Sequence, residues 1–142
     1  MNRRMVLNTL MLGMFIFLFG FKFFPPMWHP VVGVLVLIPV MVHILYNRRW
    51  FTALTRGRWN RKRRLWTILN LALLITVFLT VLAGILCSPY ATFLPTGSLP
   101  FNPHTLSRAH KFLAKILFWL IICHVFLHRK AFSSWIRHGL KR

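Results

Sequence analysis

Apolar residues fall into four long runs separated by short polar or strongly basic stretches. The first, Met5 to Phe24, carries one charge, Lys22, near its end. The second goes from Trp28 to about Tyr46, the third from about Leu65 to Cys87, and the fourth from about Leu106 to Leu127. A bilayer core about 30 Å thick takes roughly 20 helical residues, so each run predicts one transmembrane helix. The expected fold class is all-α, a transmembrane four-helix bundle forming one domain over residues 1–142. Met-Asn-Arg-Arg at the start resembles a signal-peptide n-region, but no small-residue cleavage site follows it, so the first span is read as retained. Pro25-Pro26 forces a turn, and Pro30 suits a first helical turn. Pro39 should kink the second helix because it offers no N–H to the carbonyl four residues back. A basic loop is expected over Asn47–Arg64. Ser88–Thr105 carries Pro89, Pro95, Pro100 and Pro103 and reads as extended. The tail, His128–Arg142, predicts a short surface helix with Phe132, Trp135 and Ile136 toward lipid.

Composition sharpens this picture. Hydrophobic residues make up 57% of the chain and the mean hydropathy is +0.61, above the roughly 45–50% apolar share of a soluble domain. There are 19 Lys and Arg and no Asp or Glu, a net charge of +19. That balance raises nucleic acid as a partner, but such binders carry their charges on a soluble fold or tail. Here the charges fill the gaps between apolar runs, as in membrane proteins. Nucleic acid is therefore excluded as a partner, and membrane lipid is expected. The lack of carboxylates also removes Asp/Glu acid–base pairs, Ser-His-Asp triads and carboxylate-held Mg²⁺ or Ca²⁺. Cys87 and Cys123 end apolar runs at opposite faces and read as buried thiols.

The basic residues orient the spans. Arg3 and Arg4, the eight from Arg48 to Arg64, and the five from Arg129 to Arg142 place fifteen of the nineteen on one face. Lys22, Arg108, Lys111 and Lys115 fall toward the other. By the positive-inside rule both termini are expected in the cytoplasm.

The second and fourth runs each contain two histidines fourteen residues apart, His29 and His43, then His110 and His124. At ~100° per residue, fourteen steps come within about 40° of four whole turns, with a rise of about 21 Å. Both histidines of a span thus share a face, one near each side of the membrane. In an up-down-up-down chain the second and fourth spans run in parallel, so His29 falls level with His110 and His43 with His124. Two levels of two histidines form the axial ligand set for two six-coordinate haems, His29, His43, His110 and His124 being the iron ligands. The alternative is four membrane histidines that hydrogen-bond across helices. Cys123-His124 has Leu120 where thioether attachment needs a cysteine, so the expected cofactors are two non-covalent haem b groups. Lys111, Lys115 and Arg108 near the outer pair, and Arg48, Arg49 and Arg129 near the inner pair, are candidate propionate partners. Gly13, Gly20, Gly33 and Gly84 would admit either a porphyrin or a close helix. His128 shares the His124 face, and His104 sits in the outer loop.

His29-Pro30-Val31-Val32-Gly33, with His43 and Asn47-Arg48-Arg49-Trp50, resembles the small four-span bacterial membrane cytochromes b associated with flavinylated redox proteins. His110-Lys111-Phe112-Leu113-Ala114 through His124-Val125-Phe126-Leu127-His128 looks like the matching repeat. The spacing is also similar to cytochrome b of quinol-oxidising bc-type complexes. The resemblance covers about Trp28 to His128. It implies a bacterial inner-membrane electron relay between a quinol pool or redox partner and an acceptor outside the cytoplasm. The redox partner, flavinylated in that family, would be a separate chain, and this chain a subunit of a larger oxidoreductase. Two other readings stay open: a quinone-linked oxidoreductase in its own right, with a site near Tyr90 and His104 or at Tyr46 and Asn47, and a haem-free scaffold or transporter.

Overall fold

The computed structural model describes residues 3–20, 23–54, 59–89 and 102–129. The surface tail beyond Arg129, Lys22 and Tyr90 lie outside these residues. The described chain is helical: α1 (Arg3–Phe19), α2 (Trp28–Leu35), α3 (Leu37–Tyr46), α4 (Arg49–Leu54), α5 (Arg61–Cys87) and α6 (Pro103–Leu127). Three stretches are long and apolar enough to cross a membrane: Trp28–Tyr46, which joins α2 and α3, Arg61–Cys87, and Pro103–Arg129.

Several boundaries differ from those the apolar runs predict, each for a local reason. α1 has 17 residues and ends at Phe19. Gly20 follows, its N–H on the Ile16 carbonyl at 2.9 Å, the usual place for glycine past a helix end. α5 starts at Arg61, four residues before the apolar run, because the Asn60 side chain accepts from the Arg63 N–H at 2.8 Å. Asn60→Ala is expected to destabilise this end by about 1 kcal/mol. Faster amide exchange confined to Arg61–Arg64 would report it, and unchanged exchange there would contradict it. α6 starts inside the proline-rich segment: Pro103 occupies its first turn, and Asn102 caps the His104 N–H at 2.9 Å. Proline lacks the N–H that a first turn leaves unbonded, so it starts a helix as readily as it breaks one. The basic loop contains the short helix α4. The second span is interrupted at Val36, one residue past the Leu35 carbonyl that Pro39 leaves without an N–H.

Contacts fix the helix directions. Asn8 of α1 meets His43 of α3, while Leu18 near the other end of α1 meets His29 of α2. Trp66 near the start of α5 meets His128, and Thr80 toward its end meets His110. α1 is therefore antiparallel to α2–α3, α5 is antiparallel to α6, and α2–α3 runs parallel to α6. α5 and α6 pack along each other, α2 leans on α5, and α1 on α2 and α3; α2 and α3 make no extensive backbone approach to α6.

The core is one thin layer of Phe15, Val36, Val40, Val77 and Leu117. Outward side chains are largely apolar and uncovered: Ile16, Ile38, Phe112 and Trp119 are each more than 60% exposed. Helices apolar on every side suit a lipid surround, where outward apolar groups need no protein cover.

Candidate functional site

The central layer has a register that organises everything else. Val36 is seven residues from both His29 and His43, and Leu117 is seven from both His110 and His124. Seven residues are nearly two turns, so the histidines and the buried residue share a face, about 10 Å apart along the axis. Phe15 is likewise seven residues after Asn8, and Val77 seven before Gly84. The bundle thus reads as three levels, with polar groups above and below an apolar layer.

At one level the structure brings His29 to His110, their ring centres 5.9 Å apart and their planes at 87°. The His110 Nδ1 lies 2.9 Å from the Thr80 carbonyl. A carbonyl only accepts, so Nδ1 carries the proton and Nε2 keeps the lone pair. The Thr80 hydroxyl is turned onto the Thr76 carbonyl at 2.6 Å and does not compete. Gly84, one turn further along α5, makes the approach possible: a Cβ there would stand 3.0 Å from His110 Cε1 and 3.1 Å from Nδ1. The ring of His29 is bonded to the backbone of Leu18.

At the other level His43 lies within electrostatic reach of His124 and His128. His43 Nδ1 is 3.0 Å from the Asn8 amide oxygen, to which it donates. Asn47 caps the His43 carbonyl through its side chain at 2.8 Å, which holds the last turn of α3. His128 stacks at 4.6 Å from His124 and 4.7 Å from Trp66. The Nδ1 of His124 is buried with no hydrogen-bond partner.

The two levels can be tested for fit to metal-bound imidazoles. A metal with bonds of about 2.0 Å to two opposed imidazole nitrogens separates the ring centres by about 6 Å. The His29–His110 pair stands at 5.9 Å. Ligating histidines typically give their other N–H to a carbonyl or similar acceptor, as His110 and His43 do here. The unpartnered buried nitrogen of His124 is a further feature that a ligand would satisfy. Among the described residues no group of three or more His, Cys, Asp or Glu is placed to hold a metal ion. The His29–His110 separation fits a group bound by two histidines, and at the other level His43 and His124 lie within electrostatic reach of each other.

The basic candidates separate. Arg48, Arg49 and Arg129 lie at the same end of the bundle as His43 and His128, and the Arg129 guanidinium sits 4.0 Å over the Phe126 ring. Lys111 follows His110 and is within electrostatic reach of Cys87. Lys115 instead lines an open depression of about 300 Å³ with Phe19, Ala114, Phe118 and Trp119. That face is turned roughly 140° or more from the histidines at ~100° per residue. Of the residues considered for a quinone, Asn47 is occupied in capping α3 and the Tyr46 carbonyl accepts from Arg4 at 3.4 Å. His104 is exposed in the first turn of α6.

Asn8, Thr80 and Trp66 are parts of these levels that sequence patterning passes over. Asn8 had a signal, as an amide inside an apolar run. Thr80 acts through its backbone, which every residue has, so nothing in its identity marks it. No protein family, no curated protein and no solved structure matches the chain.

Proposed function

We propose that this chain is a di-haem b-type membrane cytochrome that relays electrons across the bilayer as a subunit of a larger oxidoreductase. The observation that carries the reading is the pair of histidine levels on either side of a thin apolar layer. In it, His29 and His110 hold the outer haem, and His43 and His124 the inner one. When bound, each haem supplies one-electron exchange between ferric and ferrous iron.

The chain's own residues do the rest. The Thr80 carbonyl and the Asn8 amide fix the His110 and His43 tautomers, so that each ring presents Nε2 and holds one orientation through a change of charge. With two histidines to hold each haem, the chain would offer no open ligand position for dioxygen. The layer of Phe15, Val36, Val77 and Leu117 keeps water and protons from passing between the levels. Lys111 and Arg108 at one end, and Arg48, Arg49 and Arg129 at the other, supply cations for the propionates, which this acid-free chain can accept without an internal rival.

In this reading the first apolar run, Met5 to Phe24, is a fourth span, and the fifteen clustered basic residues hold both termini in the cytoplasm. The location is the bacterial inner membrane. The donor and acceptor are a quinol pool or a separate, flavinylated redox protein, as the family resemblance implies.

Purified chain should carry two haems per polypeptide by pyridine haemochrome, with a reduced-minus-oxidised spectrum of the bis-histidine b type. A colourless preparation that remains colourless after haem is supplied would overturn the reading. The histidines would then be helix-to-helix hydrogen-bonding groups of a scaffold.

A further inference from the structure

Lys115 is the central residue of α6: twelve residues of Pro103–Leu127 precede it and twelve follow, about 18 Å of helix on each side. It faces away from the core. Leu117 and Ile121, which pack in the central layer, lie on the histidine side of α6. Lys115 shares the opposite side with Phe112, Trp119 and Phe126, which are 64%, 65% and 60% exposed. With Phe19, Ala114, Phe118 and Trp119 it lines the open depression described above.

An ammonium at mid-membrane persists where it meets a counter-charge or where its stem carries it to the interface. With the hydrocarbon core centred on the Leu117 layer, Lys115 lies slightly toward the outer side and about 12 Å along α6 from that interface, farther than a four-carbon stem extends. The chain has no Asp or Glu, so it supplies no side-chain counter-charge, and a second copy would bring none either. The histidine levels, with any propionates, belong to the other side of the helix.

We propose that this face of α6 docks a transmembrane helix of a different subunit, one that carries a carboxylate at mid-membrane depth to pair with Lys115. The uncovered aromatic shelf of Phe112, Trp119 and Phe126 and the depression beside Phe19 give that helix its apolar contact. Depth separates this occupant from an anionic lipid, whose phosphate sits at the headgroup level, far from the centre of α6. The inference does not depend on the haem reading.

The test uses the full chain in phosphatidylcholine vesicles at pH 8, with a fluorescent leucine-rich transmembrane peptide bearing one central Asp. Peptides with Asn or Leu at that position serve as controls, and energy transfer reads association. The Asp peptide should associate at least tenfold more strongly than either control. Lys115→Gln should reduce it to the control level, and Lys115→Arg should retain the preference. Helical circular dichroism and haem content matching the wild type show that the variants are folded. Equal association of the three peptides, or a preference that survives Lys115→Gln, overturns the proposal. So does loss of the Asp preference when phosphatidylglycerol is added, which would make Lys115 a lipid-headgroup site.

Discussion

His124→Ala is expected to reduce the haem content from two per chain to one, with the remaining haem at the His29–His110 level. The reason for selectivity is geometric. His124 and His110 are separated by about 21 Å of helix rise, and the layer built on Leu117, Val36, Val77 and Phe15 stands between them. Removing the His124 imidazole breaks no hydrogen bond made by its Nδ1, since that atom has no partner. The fold should therefore register the change mainly as a small cavity. On the proposed reading haem binding should register it fully, because one of the two residues that would hold the inner haem is gone. His128, one turn along with its ring centre 4.6 Å from that of His124, is a neighbour positioned to respond, so the double variant with His128→Ala is the control. Pyridine haemochrome and redox titration give the count and show whether one potential has disappeared. Two haems remaining in the double variant would show that the levels are assigned wrongly. Loss of both with unchanged helical content would show that they are not independent.

Gly84→Ala should have the second largest effect, and its sign separates site from scaffold. Alanine in a helix interior is favoured over glycine by up to about 1 kcal/mol, so α5 itself should become no less stable. The added Cβ, however, would lie 3.0 Å from His110 Cε1 and 3.1 Å from Nδ1, so the ring must back away from the Thr80 carbonyl that it now reaches at 2.9 Å. Losing an outer partner of this kind costs roughly 10–100-fold in affinity for the bound group. Titration of haem into the haem-depleted chain should show one site weakened by that factor and the other unchanged, while thermal stability without haem holds or rises. If both sites bound haem as in the wild type, the Thr80 anchor would have no part in ligation.

The parts of the site legible in the chain were those written in side-chain type and period. Fourteen-residue separations place two histidines on one face whatever the neighbours are, because the helical repeat is set by the backbone. Apolar runs of membrane length place helices for the same reason. The start of α6 was misjudged because proline is read as a breaker, while its effect depends on position: at Pro103 the missing N–H is one that a helix start leaves unbonded anyway. The end of α1 was misjudged because hydropathy continues past Gly20, where the helix does not.

Lys115 shows the limit of sequence proximity: five residues from His110 along a helix turn a side chain about 140° to a different side. Thr80 and Gly84 were invisible as a pair, since one contributes a backbone oxygen and the other the absence of a side chain.

By itself, then, the sequence predicted an all-helical chain with four apolar runs of membrane length, three of which the structure forms as helices long and apolar enough to cross a membrane, supplied no carboxylate side chain, and set two pairs of histidines in register on two segments. These follow from covalent identity and a fixed helical repeat. Only the tertiary structure decided that His29 meets His110, that the Thr80 carbonyl and Asn8 amide fix ring protons, and that Lys115 is turned away from both levels. Those depend on how helices pack across one another, which is set by the shapes of Phe15, Val36, Val77 and Leu117 meeting in a single layer rather than by any one residue's type.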